Sequence, residues 1–221
     1  MIGENIQHSL SPSIYAELLG DKVDYTLLDY EHFADIPPLK ELLGPFDGVS
    51  VTAPYKKFVF KKVDRSEEAA SRLQAVNAVK LENGFIWGAN TDAKAFNEIF
   101  KEKFFEKNMT VLILGDGAMS KVAKTFLETE EIDHKVLSRK LGNLQNLEGY
   151  LNQAKKAPLI INACSREFTL DFASSKQLKI WDFNYDLPKH SSFCHAHNHH
   201  YFDGKELLFR QARYALRFWN L

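Results

Sequence analysis

Apolar residues run along this chain in short blocks that alternate between two periods, and the alternation predicts an α/β protein. Ser11-Pro12 followed by Ser13 to Gly20 reads as a helix, with a polar N-cap, Pro at its first position and Gly at its end. Tyr25 to Tyr30 and Gly48 to Thr52 read as strands, the second stopped by Pro54. Pro37-Pro38 opens a short helix ending near Gly44-Pro45, and a charged helix runs around Ser66 to Leu73. Ala75 to Leu81 and Phe85 to Gly88 form a hairpin around Asn83-Gly84. Thr91 to Phe105 has a helical pattern.

The clearest signal follows. Met109 to Leu114 is a continuous apolar strand, Gly115-Asp116-Gly117 a tight turn, and Ala118 to Glu130 an amphipathic helix. Then come a strand at His134 to Leu137, a helix at Leu147 to Ala154, and buried strands at Leu159 to Asn162 and Lys179 to Phe183. Strands alternating with helices imply parallel βαβ units. The chain closes on a helix from Gly204 to Trp219 with an apolar face at Leu207, Leu208, Ala212, Ala215 and Leu216.

A strand, Gly-x-Gly, then a helix is the Rossmann arrangement for a dinucleotide. Gly115 permits the turn, Gly117 lets backbone approach a pyrophosphate, and the helix beginning at Ala118 offers N–H donors and a positive dipole end. Ser120 stands where many such folds carry a third Gly, and Asp116 is expected to face solvent. Enzymes that use NAD place an acid at the end of the second strand, for the ribose 2′-hydroxyl. This chain has Ser138-Arg139-Lys140 there, a set that suits a 2′-phosphate and so NADP. The alternatives are an ordinary βα turn and a solvated basic loop.

Charge and composition narrow the partners. The 221 residues include 28 Lys plus Arg and 29 Asp plus Glu, a balance that argues against nucleic acid. No apolar run reaches the length of a bilayer span, and the first residues lack the basic and apolar regions of a signal peptide. Cys164 and Cys194 give no disulfide framework, and Cys164 reads as a buried small residue at a strand end. These features point to a cytoplasmic protein. His190, His195, His197, His199 and His200 bring imidazoles close together, but with no helical i, i+4 pair flanking an acid and no Cys at ligand spacing they read as a polar loop between strand and helix, so no metal is expected. Lys56-Lys57 and Lys61-Lys62 make a basic patch that solvates a helix or draws an anionic substrate.

Further motifs stand in order: His8-Ser9-Leu10-Ser11-Pro12, Gly48-Val49-Ser50-Val51-Thr52-Ala53-Pro54-Tyr55-Lys56, Gln74-Ala75-Val76-Asn77, Gly88-Ala89-Asn90-Thr91-Asp92, Asp203-Gly204 and Gln211-Ala212. With the phosphate turn and basic loop among them, the chain resembles the shikimate dehydrogenases over nearly its whole length. That resemblance implies a substrate domain at residues 1–93 plus 204–221, a Rossmann NADP-binding domain at 94–203, and a C-terminal helix returning to the first domain. It implies NADP-dependent, reversible reduction of 3-dehydroshikimate to shikimate in the shikimate pathway of aromatic amino-acid biosynthesis. By motif, Lys56 and Asp92 are the catalytic pair. Ser9 and Ser11 hydrogen-bond the substrate carboxylate, and Thr52, Asn77 and Gln211 bind carboxylate or ring hydroxyls. Tyr185 closes over the carboxylate from the cofactor domain. Gly115, Gly117, Ala118, Ser138, Arg139 and Lys140 hold NADP. A monomer or homodimer acting on a small molecule is expected.

The chemistry of the residues agrees with this. Hydride delivery to a ketone makes an alkoxide that needs a proton or a nearby positive charge, and a Lys ammonium supplies either. Small hydroxyls and amides suit a ring whose hydroxyls both donate and accept.

Some positions depart from the family. Ser50 stands in place of an Asn that contacts the substrate ring, which implies a looser pocket or another substrate. Ala78 follows Asn77 where Thr is usual, Ala118 replaces a Gly, and Ser138 an Asn. Cys164 to Phe168 differs from the family near the nicotinamide. The chain is roughly fifty residues shorter than such a two-domain enzyme. A compact variant or a shortened N-terminus is expected, with almost no strand before Gly3. These departures keep two rivals open: a dehydrogenase for quinate or another hydroxy acid, and a Rossmann-based binding or regulatory protein without hydride transfer.

Overall fold

The computed structural model describes residues 1–20 and 23–221. The chain divides into two compact units, residues 1–95 with 209–221, and residues 96–208. The sequence placed the divisions at 93/94 and 203/204.

The first unit holds β1 (Ile2–Gly3), α1 (Ser11–Leu19), β2 (Leu28–Asp29), α2 (Leu39–Leu43), β3 (Val49–Ser50), α3 (Lys56–Phe60), β4 (Arg65–Ser66), α4 (Glu68–Leu73), β5 (Ala78–Glu82) and β6 (Phe85–Ala89). It also holds the start of α5 (Thr91–Ile99). Among the described residues, β3, β5, β6 and β4 form one sheet in that order. β5 and β6 are the expected hairpin, with Asn83 and Gly84 both at positive φ, as a tight two-residue turn requires. β1 pairs in parallel with β2 and bridges Val51, so the two-residue strand before Glu4 is tied in at both edges. Under the sheet lie Ile2, Leu39, Leu43, Val49, Val51, Tyr55, Val59, Val76, Val79 and Ile86. Each such fully buried apolar side chain contributes about 1.5–3 kcal/mol relative to exposure.

The α1 helix starts differently from expectation. Ser11 is its first residue rather than its cap, and Leu10 precedes it without a side-chain cap. Ser9 Oγ accepts the Ser11 N–H instead, at 3.2 Å.

The second unit holds β7 (Thr110–Leu114), α6 (Ala118–Thr129), β8 (Asp133–Leu137), α7 (Leu147–Gln153), β9 (Leu159–Asn162), β10 (Lys179–Asp182), α8 (Pro188–Ala196) and β11 (His200–Phe202). The strands make one parallel sheet in the order β11-β10-β9-β7-β8. β7 and β9 read as apolar runs because both faces of a parallel sheet are covered. The order reverses at β7, with β8 on one side and β9 on the other, which opens a ligand crevice at their carboxyl ends. The histidine-rich stretch is not the expected loop: it forms α8 and β11. Cys194 is buried in α8 and Tyr201 packs on the same core.

The last helix, α9 (Lys205–Trp219), begins in the second unit and ends in the first. Its final turn is fixed there by Trp219, whose indole N–H donates to Val79 O at 3.1 Å. Its ring covers Gly48, where any Cβ would overlap Trp219. None of the described helices is long and apolar enough to cross a membrane.

Candidate active site

Lys56 opens α3 and Asp92 lies in the first turn of α5, thirty-six residues apart in sequence. Lys56 Nζ donates to Asp92 Oδ2 at 2.7 Å, and the two side chains are only 18% and 13% exposed. Asp92 is free for this because the helix is capped by another residue. Asn90 Oδ1 accepts the Ala93 N–H at 3.1 Å, while its amide donates to Ala75 O. With Asn90 as the N-cap, the Asp92 carboxylate is not spent on capping. An acid in the first turn also faces the positive helix end.

Beside the pair lies a buried amide network. Asn77 Oδ1 accepts the Thr91 N–H at 2.6 Å, and Asn77 Nδ2 donates to Thr91 Oγ1 at 2.9 Å. Asn77 Nδ2 and Thr91 Oγ1 each also lie 3.4 Å from Gln211 Oε1 of α9. Gln211 is thereby brought onto Asn77 across 134 positions. Thr91 is a member the sequence did not single out, although it sits inside the Asn90-Thr91-Asp92 motif.

Ser9 and Ser11 are half-buried and 3.2 Å apart through their hydroxyls. Thr52 is half-buried as well, and its backbone is fixed by Thr52 N–H donating to Ile2 O at 3.0 Å. The phenol of Tyr25 donates to Ser50 Oγ at 3.2 Å and the Tyr15 hydroxyl lies 3.4 Å from the same atom.

The second unit carries the dinucleotide features. Gly115 sits at φ 102°, a left-handed conformation, and a Cβ there would meet Ala163 O at 2.8 Å. The turn therefore lies directly on the end of β9. Gly117 is the N-cap of α6, brings no side chain to the first amides, and faces open space. Asp116 is exposed, as expected. Ser120 is buried and donates to Gly115 O at 2.7 Å, so it braces the turn from inside.

At the end of β8, Ser138 is buried and its hydroxyl accepts the Leu141 N–H at 3.1 Å. Its own N–H goes to Asn143 Oδ1 at 2.9 Å. Arg139 and Lys140 are exposed on the turn this shapes. Glycine cradle, uncapped helix start and exposed cations together fit a nucleotide with an extra phosphate.

Tyr185 belongs to this unit and is half-buried. The Arg166 guanidinium lies 5.5 Å from its ring and donates to Tyr185 O at 2.9 Å. Cys164 is half-buried rather than buried, and burial of the thiol pushes its pKa up to about 11. Among the described residues, no three His, Cys, Asp or Glu side chains gather as a metal site.

Residues 1–79 match the family model of the shikimate dehydrogenase substrate binding domain. The chain is 28% identical to the NADP-dependent shikimate dehydrogenase of Methanococcus vannielii, over 86% of this chain and 63% of that one. It is 29% identical to that of Sulfolobus acidocaldarius, over 99% of this chain and 88% of that one. The chain spans 63%, 67% and 51% of the lengths of curated relatives from Methanococcus vannielii, Ignicoccus hospitalis and Clostridium beijerinckii. Among solved structures, shikimate dehydrogenase 1 of Peptoclostridium difficile superposes with a TM-score of 0.78 at 26% identity, covering 99% of this chain and 89% of that one. The Thermus thermophilus enzyme, solved in complex with NADP(H) and shikimate, superposes with a TM-score of 0.77 at 25% identity, covering 99% and 91%.

Proposed function

We propose that this chain is a member of the shikimate dehydrogenase family and catalyses the NADP-dependent, reversible reduction of 3-dehydroshikimate to shikimate in aromatic amino-acid biosynthesis. The observation that carries the reading is the Lys56–Asp92 pair, 2.7 Å apart and largely buried beside the Asn77–Thr91–Gln211 network. NADPH, when bound, supplies the hydride that adds to the ketone carbon. The carbonyl oxygen becomes an alkoxide, and the Lys56 ammonium stabilises it and passes it a proton. Asp92 accepts a hydrogen bond from Lys56 Nζ and so fixes where that ammonium points. In oxidation the same nitrogen takes the hydroxyl proton back.

Asn77, Gln211 and Thr52 then bind ring hydroxyls, and Ser9 and Ser11 the carboxylate. Tyr185 is assigned to the carboxylate as well. Gly115, Gly117 and Ala118 hold the pyrophosphate. Arg139 and Lys140 hold the 2′-phosphate, with Ser138 shaping their turn. Residues 1–95 with 209–221 serve as substrate domain and 96–208 as cofactor domain. The reading includes a cytoplasmic monomer or homodimer acting on a small molecule. A paired, sheltered Lys weighs against a binding protein that has given up hydride transfer.

The test is NADPH formation, followed by absorbance, from shikimate and NADP, beside quinate, NAD and Lys56→Ala. Turnover with shikimate and NADP that collapses in the variant supports the reading. Faster turnover of quinate moves the assignment to that substrate, and none with any pair overturns it.

A further inference from the structure

The turn after β8 is closed by a side chain that the proposed reaction does not use. β8 stands at the end of its sheet, and Leu137 O points toward β7, where it accepts the Gly115 N–H at 2.8 Å. Along a strand the carbonyls alternate sides, and the C=O of one residue points the same way as the N–H two residues on. Val136 O and the Ser138 N–H therefore both point to the open edge, where no strand pairs with them among the described residues. Asn143 takes both. Its Oδ1 accepts the Ser138 N–H at 2.9 Å and its Nδ2 donates to Val136 O at 3.0 Å.

A side-chain amide carries the donor and acceptor of a peptide group. Asn143 thus stands where the backbone of a further strand would stand. The orientation of its amide is fixed, because a carbonyl only accepts and an N–H only donates. Alanine at this position offers neither bond.

The chain between Ser138 and Asn143 is drawn tight. The Asn143 N–H donates to Ser138 O at 3.3 Å, the Gly142 N–H to Arg139 O at 3.1 Å, and the Leu141 N–H to Ser138 Oγ at 3.1 Å. Gly142, at φ 66°, makes the reversal in a conformation that favours glycine. Ser138 is buried and Asn143 half-buried, while Arg139 and Lys140 between them are exposed. The two cations stand on a ring of bonds that Asn143 closes.

We propose that Asn143 is a positioning residue for NADP: by bonding the open edge of β8 it presets the turn that presents Arg139 and Lys140 to the 2′-phosphate. The preference for NADP over NAD then depends on a side chain that acts through those two. This role rests on the NADP-dependent reading above and adds a residue to it. A turn ordered before binding spends less of the contact energy on its own ordering, and the gain falls on the ligand that uses its cations.

The test is calorimetric titration of the full chain, without turnover, by adenosine 2′,5′-bisphosphate and by adenosine 5′-phosphate, which lacks only the 2′-phosphate. Asn143→Ala is expected to weaken binding of the bisphosphate about tenfold and that of the monophosphate by less than about twofold. In a chain that already carries Arg139→Ala and Lys140→Ala, adding Asn143→Ala is expected to cost nothing more. Asn143→Ser, with a shorter hydroxyl in place of the amide, is expected to give a smaller loss in the same direction. The thermal midpoint reports whether each variant is folded, and Asn143→Ser carries the test where Asn143→Ala is not. Unchanged affinity, equal losses for the two nucleotides, or a further loss once both cations are gone overturns this role and leaves the NADP reading standing. Wild type that binds the two nucleotides equally, or neither of them, overturns the NADP assignment and this role with it.

Discussion

His190 Nδ1 lies 2.5 Å from Asp182 Oδ2, with both side chains fully buried in the second unit. His190 Nε2 faces the Phe168 carbonyl at 2.8 Å. A carbonyl can only accept, so Nε2 carries a hydrogen, and one more hydrogen lies between Nδ1 and the carboxyl. Asp182 collects further donors: the Tyr201 phenol on Oδ2, and Asn162 Nδ2, Asn184 N and Asn184 Nδ2 on Oδ1. These bonds fasten the ends of β9 and β10 to α8 and to the segment from Cys164 to Phe168.

His190→Leu leaves that carboxyl without its shortest partner. Removing one member of a buried pair costs about 3–5 kcal/mol, and the remaining donors on Asp182 put this variant near the lower figure. Urea denaturation should show the midpoint fall at unchanged slope. A loss below about 1 kcal/mol would show that the neighbouring amides carry Asp182 by themselves.

The histidine stretch shows why part of the fold escaped the sequence. In α8 only His190 and Cys194 are buried, and a buried histidine carries no apolar signal. Its burial makes sense only once Asp182, eight residues away on another element, is beside it. The Tyr15–Tyr25–Ser50 cluster escaped for the same reason, since it joins side chains up to 35 positions apart. By contrast, β7, the Gly115 turn and α6 were legible because strand, turn chemistry and helix follow one another directly in the chain. Lys56, Asp92 and their pairing were legible through the motifs; the 2.7 Å contact between them is a matter of tertiary structure, whereas the capping by Asn90 that frees Asp92 is local, three residues along the chain.

Cys164 should not behave as a reactive thiol. Burial pushes its pKa from 9.0 up to about 11, with Arg139 pulling slightly the other way. At pH 7 only about one molecule in ten thousand then carries the thiolate that alkylating agents attack. Iodoacetamide labelling followed by mass spectrometry should be slow at neutral pH and rise toward pH 11. The sign for stability follows. The folded thiol keeps its proton above the pH at which the unfolded one releases it, so its contribution is complete below pH 9.0 and is lost as pH rises toward about 11. Rapid labelling at pH 7 would contradict the sheltered position of this residue.

Arg139→Ala is expected to raise KM for NADP on the order of tenfold or more and to leave KM for NAD nearly unchanged. Arg139 and Lys140 are exposed at the end of β8, where the ribose of a bound dinucleotide lies in this fold. Their attraction for a 2′-phosphate should weaken with added salt, so NADP affinity should fall between low and high ionic strength more than NAD affinity does. Equal losses for both cofactors would mean that the turn is deformed rather than deprived of a charge.

Lys56→Ala and Asp92→Asn separate proton delivery from its positioning. Lys56→Ala removes the group that meets the alkoxide, and kcat should fall by about 10²–10⁴. Asp92→Asn keeps the shape and a hydrogen-bonding oxygen 2.7 Å from Nζ while deleting the charge, so its loss should be smaller. In neither case should shikimate affinity collapse, because Asn77, Thr52 and the serines are untouched. Lys56→Arg keeps a positive charge but not the compact ammonium, and its planar fork does not fit the single 2.7 Å contact to Oδ2. Activity near that of Lys56→Ala in this variant would identify the proton on Nζ, rather than positive charge alone, as what the reaction draws on. Substantial recovery would assign Lys56 to electrostatic stabilisation, with the proton delivered by water.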